Sequence, residues 1–261
     1  MAEIQKYLFT LTCREAGAVR GLGGAELHGL LFSLLQDLDP AEATVLHEAP
    51  DKPFALGPLT GPGRREKGFL HCESGTHYRF TLSCLDPSMT GLADALAGYW
   101  SGMAVRLGTA EFSGEAVEEV YPGGLTYQHL LERPPLPREI TLAFRSPTSF
   151  RQLGTQIVFP LPERVFGSLL QRWNNFSPLQ LHPDLDFSVL LVSRYELQTS
   201  LVAFDRYSIV GFTGRCSYRL PPRFPDFLAF QIHALARYAA FAGVGYKVTM
   251  GLGQTELVGE G

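Results

Sequence analysis

The chain has no Cys-x-x-Cys pair: its four cysteines, Cys13, Cys72, Cys84 and Cys216, are scattered over 261 residues. That spacing disfavours a zinc site or a disulfide frame and suits reduced thiols in a cytoplasmic protein. The start, MAEIQKYLF, lacks a basic stretch followed by an apolar run, so no secretory leader is read there. No apolar run approaches the ~20 residues that span a bilayer. Metal-ligand spacing is missing too, with no His-x-x-x-His and no cluster of carboxylates, so neither a metal nor a cofactor is expected. Charge is sparse as well: 18% of residues are charged and the net is −4. Such a balance by itself disfavours a polyanionic partner.

What is present is a foldable, turn-rich chain. Hydrophobic residues make up 45%, with 27 glycines and 18 prolines, which points to a buried core and many turns rather than disorder. The charge divides unevenly. Residues 1–137 hold 10 Lys/Arg and 17 Asp/Glu, whereas residues 138–261 hold 12 and 9. The second half interleaves Arg145, Arg151, Arg164, Arg172, Arg194, Arg206, Arg215 and Arg219 with aromatics, a distribution compatible with a local polyanion site.

The seam LERPPLPREI (131–140) separates two similar halves, a domain over 1–135 and another over 138–261. Each opens on an alternating segment, 6–13 and 139–146, of the kind that forms a strand. An amphipathic helix follows, over 26–38 and 162–176; in the first, Leu27, Leu30, Leu31, Leu34, Leu35 and Leu38 make one apolar stripe. Further strands are expected over 77–85, 188–204 and 210–220, second helices over 88–100 and 225–243, and closing strands over 105–120 and 253–259. Asp226 is expected to cap the last helix and Gly243 to end it in a left-handed turn. This is βαββαβ twice over: an α+β fold of tandem ferredoxin-like domains with a cleft between them.

One stretch asks for a chemical explanation. AGVGYKVTMGLGQTELV (242–258) places Gly243, Gly245, Gly251 and Gly253 around Lys247. A phosphate-cradling nucleotide loop follows a strand and opens a helix; this one follows a helix and precedes a strand, so both common nucleotide motifs fail. A helix cap explains Gly243. The second Gly-x-Gly pair suggests backbone brought close to a phosphate-rich partner.

This stretch resembles the C-terminal glycine-rich loop of the CRISPR-associated repeat-processing endoribonucleases, a repeat-associated superfamily of tandem ferredoxin-like proteins. The similarity runs through 140–173, 210–221 and 52–59, and so covers most of the chain. The resemblance implies cleavage of CRISPR repeat RNA without a metal. The 2′-hydroxyl attacks the adjacent phosphate, leaving 2′,3′-cyclic phosphate and 5′-hydroxyl ends. A non-catalytic repeat-RNA-binding subunit of an effector complex is the alternative, and a homodimer stays open.

Such chemistry needs a base, an acid and positive charge at the crowded phosphorus. By the resemblance, the catalytic residues are His47, in the loop after the first helix, and Lys52 five residues on. Some relatives add a tyrosine within that helix; here the position holds Phe32, so a third role falls to His28 or Ser33. The remaining histidines, His71, His77, His129, His182 and His233, read as structural. For RNA binding the candidates are Lys247 and the backbone of Gly243, Gly245, Gly251 and Gly253. Arg145 and Arg151 join them beside a β-hairpin implied over 146–159, together with Arg215.

Overall fold

Along Gln5–Glu15 the apolar residues at every second position are buried, and this strand, β1, lies at the centre of the first sheet. The computed structural model describes residues 3–132, 134, 137–183 and 185–259. Arg133, Pro135 and Leu136 of the proline seam lie outside the described residues. Two compact units emerge. The first is Met1–Gly124 with Leu201–Ile209 and Thr249–Gly251; the second is Leu125–Ser200 with Val210–Val248 and Leu252–Gly261.

In the first unit β1 is followed by β2 (Gly17–Arg20), α1 (Gly24–Leu38), α2 (Pro40–Glu48), β3 (Phe54–Leu56), β4 (Arg64–Glu66) and β5 (Phe69–Cys72). Then come β6 (His77–Cys84), α3 (Pro87–Trp100), β7 (Ala104–Leu107) and β8 (Ala110–Glu119). The main sheet runs β3-β6-β1-β8-β7, all neighbours antiparallel. With α1 and α3 as connections, β1, β3, β6 and β8 form the ferredoxin-like βαββαβ unit. A three-stranded sheet, β2-β5-β4, is added beside it.

The leucine stripe explains α1. Leu27, Leu31 and Leu35 are buried, while Leu30, Leu34 and Leu38 pack partly buried against the same core. Each fully buried leucine contributes about 1.5–3 kcal/mol. Beneath them Phe9 stacks on Phe80 and meets Trp100 edge-on, both at 4.9 Å. The Trp100 indole N–H donates to the Thr10 carbonyl at 2.9 Å, so the buried indole keeps its hydrogen bond.

The second unit contains α4 (Tyr127–Glu132), β9 (Glu139–Thr148), β10 (Phe150–Gln152), β11 (Thr155–Ile157) and α5 (Pro162–Phe176). It continues with β12 (Leu191–Ala203), β13 (Ser208–Arg219), α6 (Asp226–Ala242) and β14 (Thr255–Leu257), the β12–β13 tip being grouped with the first unit. Its sheet, β12-β13-β9-β14, repeats the strand order of the first. Tyr127, Trp173 and Tyr238 form a ring cluster with centroids 4.9–5.5 Å apart.

Four local expectations are corrected. The closing segment 105–120 is not one strand but the hairpin β7–β8, turned at Gly108, whose φ is 59°. Residues 40–48 form a helix, α2, rather than a loop. Asp226 does not cap α6: Pro225 holds that position and no side chain caps it. Gly243 ends α6 with positive φ but ψ 173°, which is not the left-handed helical geometry.

Candidate active site and nucleic-acid interface

The chain break between α1 and α2 is made by Asp39 and Pro40. The Asp39 carboxylate accepts from the amides of Ala41 and Glu42 at 3.1 and 3.0 Å, while Pro40 occupies the first turn, where its missing N–H costs nothing. The result corrects the expected position of His47. It stands in the last turn of α2, exposed, on a helix whose Ala43 and Leu46 are buried.

Around Phe32 of α1 the expected residues come together. The His28 ring lies 4.9 Å from the Phe32 ring, and the His47 ring meets it edge-on at 5.4 Å. Phe54 of β3 backs the group, 6.1 Å from Phe32 and 6.0 Å from His28. Two imidazoles therefore flank one phenyl ring. His28 Nδ1 lies 3.1 Å from the Thr249 carbonyl oxygen. A carbonyl only accepts, so Nδ1 carries the hydrogen, and in the neutral form of such a ring the lone pair is on Nε2. Ser33 is exposed and about 100° round the helix from Phe32, off this face.

Lys52 is held beside the same ring, its Nζ 5.9 Å from the Phe32 centroid. The ammonium donates to the carbonyls of His47 and Ala49 at 3.2 and 2.9 Å, closing the carbonyl end of α2. A cation there is favoured by the helix dipole as well as by the hydrogen bonds. Lys52 thus ties the segment carrying His47 in place and sets a positive charge within the group.

In the second unit the expected arginines divide by their partners. Arg145 is ion-paired with Glu256, its Nε donating at 2.7 Å, so its charge is already met by a carboxylate. Arg215 faces outward on β13, exposed. Arg151, on the β10–β11 hairpin, lies 5.7 Å from the Tyr246 centroid and donates to the Tyr246 hydroxyl at 3.3 Å. Lys247 lies 5.4 Å from that ring as well. Two cations thus share one aromatic ring, and Arg164 reaches Gln152 on the same hairpin at 2.5 Å. Neither Tyr246 nor Arg164 stood among the expected site residues. The signal for Arg164 was the alternation of Arg and aromatic residues, and for Tyr246 its place beside Lys247 in the glycine-rich stretch.

The glycines find their explanation inside the protein. A Cβ on Gly253 would sit 2.2 Å from the Val244 carbonyl oxygen, and one on Gly245 2.5 Å from that of Ser149. Both have positive φ, 71° and 85°. In the first unit a Cβ on Gly24 would lie 1.8 Å from the Met250 carbonyl oxygen, and Gly251 packs on Pro58. The amides of Gly243, Val244, Tyr246 and Gly253 donate to Ala239, Gly253, Ser149 and Pro147. Those amides are occupied by internal bonds, and Gly243, Gly251 and Gly253 are buried. The second Gly-x-Gly pair therefore serves close packing, and the expectation that it lays backbone bare is corrected. Lys247, itself at φ 58°, is half-buried and carries the loop's charge.

Cysteine chemistry is disfavoured by burial, which pushes the thiols of Cys72 and Cys216 up to about 11 and that of Cys84 well above its ordinary value. At neutral pH these stay protonated and poorly nucleophilic. Of the other histidines, His233 is buried within α6 and His77 meets Glu115 at 2.8 Å, away from the Phe32 group. Among the described residues no helix is long and apolar enough to cross a membrane.

The model of the CRISPR-associated endoribonuclease Cas6 family matches residues 142–255. Curated Cas6 endoribonucleases from Streptococcus thermophilus and Mycobacterium tuberculosis are 23% and 31% identical over 124 residues, 45% and 46% of this chain. Those matches span only 49% and 38% of the two relatives' own lengths. A solved Cas6 product complex is 30% identical and superposes with a TM-score of 0.77, covering 98% of this chain and 100% of that one. With tandem ferredoxin-like units along its length and that identity over nearly all of it, the chain belongs to the CRISPR-associated endoribonuclease Cas6 family.

Proposed function

We propose that the protein is a metal-independent endoribonuclease that binds CRISPR repeat RNA and cuts it into guide RNAs. The observation that carries this reading is the pair of imidazoles, His28 and His47, on either side of Phe32 with the Lys52 ammonium beside them. His28, with Nε2 as its lone-pair nitrogen, takes the proton of the attacking 2′-hydroxyl. His47 returns a proton to the leaving 5′-oxygen, and Lys52 offsets the charge gathering on the phosphorane. The products are a 2′,3′-cyclic phosphate and a 5′-hydroxyl.

In this reading catalysis belongs to the domain over 1–135 and RNA holding to that over 138–261. Arg151, Lys247 and Arg215 contact phosphates, while Arg145, paired with Glu256, contributes less. Gly243, Gly245, Gly251 and Gly253 shape the loop that presents Lys247. Phosphate contacts position the RNA and make its affinity depend on salt. Membership of the Cas6 endoribonuclease family and the product-bound state of a similar Cas6 protein support the substrate class. Phe32 lacks a hydroxyl, which favours the competing reading of a subunit that holds repeat RNA without cutting.

The test is incubation of labelled repeat RNA with the protein in excess EDTA, followed by analysis of the product ends. Cutting in the chelator to cyclic phosphate ends supports the proposal. Binding without any cutting favours the holding subunit, and cutting that the chelator abolishes contradicts the mechanism.

A further inference from the structure

The first residue of α1 is a buried glycine, Gly24. Its backbone does not ask for one: Gly24 is helical and its φ is not positive. At a helical position alanine is the better helix former. What excludes a side chain is the Met250 carbonyl, since a Cβ on Gly24 would lie 1.8 Å from its oxygen and 3.0 Å from the Gly251 nitrogen. Val248–Met250 form a short 3-10 turn. Thr249–Gly251 belong to the first unit, although the chain on either side of them belongs to the second.

One helical turn further along the same face of α1, four residues on, stands His28. There the preceding carbonyl, that of Thr249, meets Nδ1 at 3.1 Å. Two successive carbonyls are thus seated on two successive turns of α1. Met250's lies over Gly24, where only a hydrogen fits, and Thr249's lies against an imidazole. Neutral histidine free in water favours the hydrogen on Nε2, which leaves the lone pair on Nδ1. An acceptor held at Nδ1 reverses that preference, because the hydrogen bond made by one ring nitrogen fixes the state of the other. His28 is half-buried, so water competes less for that bond.

We propose that the Thr249 carbonyl is the positioning group for His28. It holds the ring's orientation and tautomer, and the missing Cβ of Gly24 is what lets the turn come close enough to do so. This rests on the reading of His28 as the base for the 2′-hydroxyl, since the Nδ1–H form is the one whose Nε2 takes that proton. Lys247 stands two residues before Thr249, so the segment with the proposed phosphate contact also carries the carbonyl.

The test joins a spectrum to a rate, both on the full chain. Protein labelled with ¹⁵N-histidine, its His28 ring assigned by the signals missing from His28→Ala, is measured at a pH where the ring is neutral. The wild type is expected to show a protonated Nδ1 and an unprotonated Nε2; the reverse pattern would overturn the proposal. Gly24→Ala drives the Met250 carbonyl off α1 and is expected to bring the Nε2–H form into the mixture. Its single-turnover rate at saturating protein is expected to fall about tenfold or more, with repeat-RNA affinity within about twofold of wild type. Met250→Pro reaches the same bond from the other side: the residue before a proline is pushed extended, which swings the Thr249 carbonyl away without adding a Cβ to α1. It is expected to give the same spectrum and the same loss, and it carries the test if circular dichroism shows that Gly24→Ala fails to fold. A folded variant that loses rate with its tautomer unchanged, or changes tautomer and still cuts at the wild-type rate, would overturn the proposal and leave the base assignment standing. His28→Ala cutting at the wild-type rate would overturn the base assignment itself, and the proposal with it.

Discussion

In the first unit the stretch after the leading helix of the ferredoxin-like pattern is lengthened into α2, which carries His47 and, just beyond it, Lys52. In the second unit the equivalent stretch after α5 forms, among the described residues, only a short 3-10 turn, Phe187–Val189, and the extra element is instead the β10–β11 hairpin between β9 and α5. One strand order thus serves two purposes according to which connection is elaborated. Two helices that bury Leu27, Leu31, Leu35 and Leu46 hold the imidazoles in place, as the proposed proton transfer would require. A hairpin turned through Leu153, which is 98% exposed, carries Arg151 away from the core, where the proposed function has it meet phosphates.

The comparison is broken most severely through His47. His47→Ala is expected to lower the single-turnover cleavage rate about 10³-fold while leaving RNA affinity within about twofold; a quench-flow series beside a filter-binding titration separates the two. In the second unit Arg151→Gln combined with Lys247→Ala is expected to weaken binding about tenfold or more and to reduce the salt slope by about two, with the rate at saturation little changed. Arg145→Gln, whose partner is Glu256, should weaken binding less than either, and an equal loss would show that pairing does not matter. Phe32 gives a third test: Phe32→Leu removes the ring between the imidazoles and is expected to slow cleavage about tenfold, whereas Phe32→Tyr keeps the ring and retains the rate. The smallest effect is on stability. Gly253→Ala drives a Cβ toward the Val244 carbonyl at positive φ, for an expected loss of about 1–3 kcal/mol, read as a lower midpoint in urea with unchanged slope.

Much of this architecture was legible in the chain because its signals are periodic. The stripe from Leu27 to Leu38 and the alternation in KYLFTLTC are local patterns, and α1, β1, α5 and α6 appear where those patterns stand. α2 was missed although Asp39–Pro40 announces it as plainly as Asp86–Pro87 announces α3. With only two buried residues, Ala43 and Leu46, α2 has almost no apolar period to detect. The convergence of His28 with His47 could be anticipated only from the family resemblance, since 19 positions of chain separate them and Phe32 joins them in space. The glycines were misread for a tertiary reason. The Ser149 carbonyl that excludes a side chain at Gly245 and the Pro58 backbone against Gly251 come from distant parts of the chain, and no local pattern in the sequence marks them.

The division of labour between the units is tested most directly by one paired measurement on His47→Ala: the affinity for repeat RNA and the single-turnover rate at saturating protein, both in EDTA. Cutting in the first unit and holding in the second predict unchanged affinity with a rate lowered about 10³-fold. A mutant that cuts at the wild-type rate, or that loses binding in proportion to cutting, would contradict it.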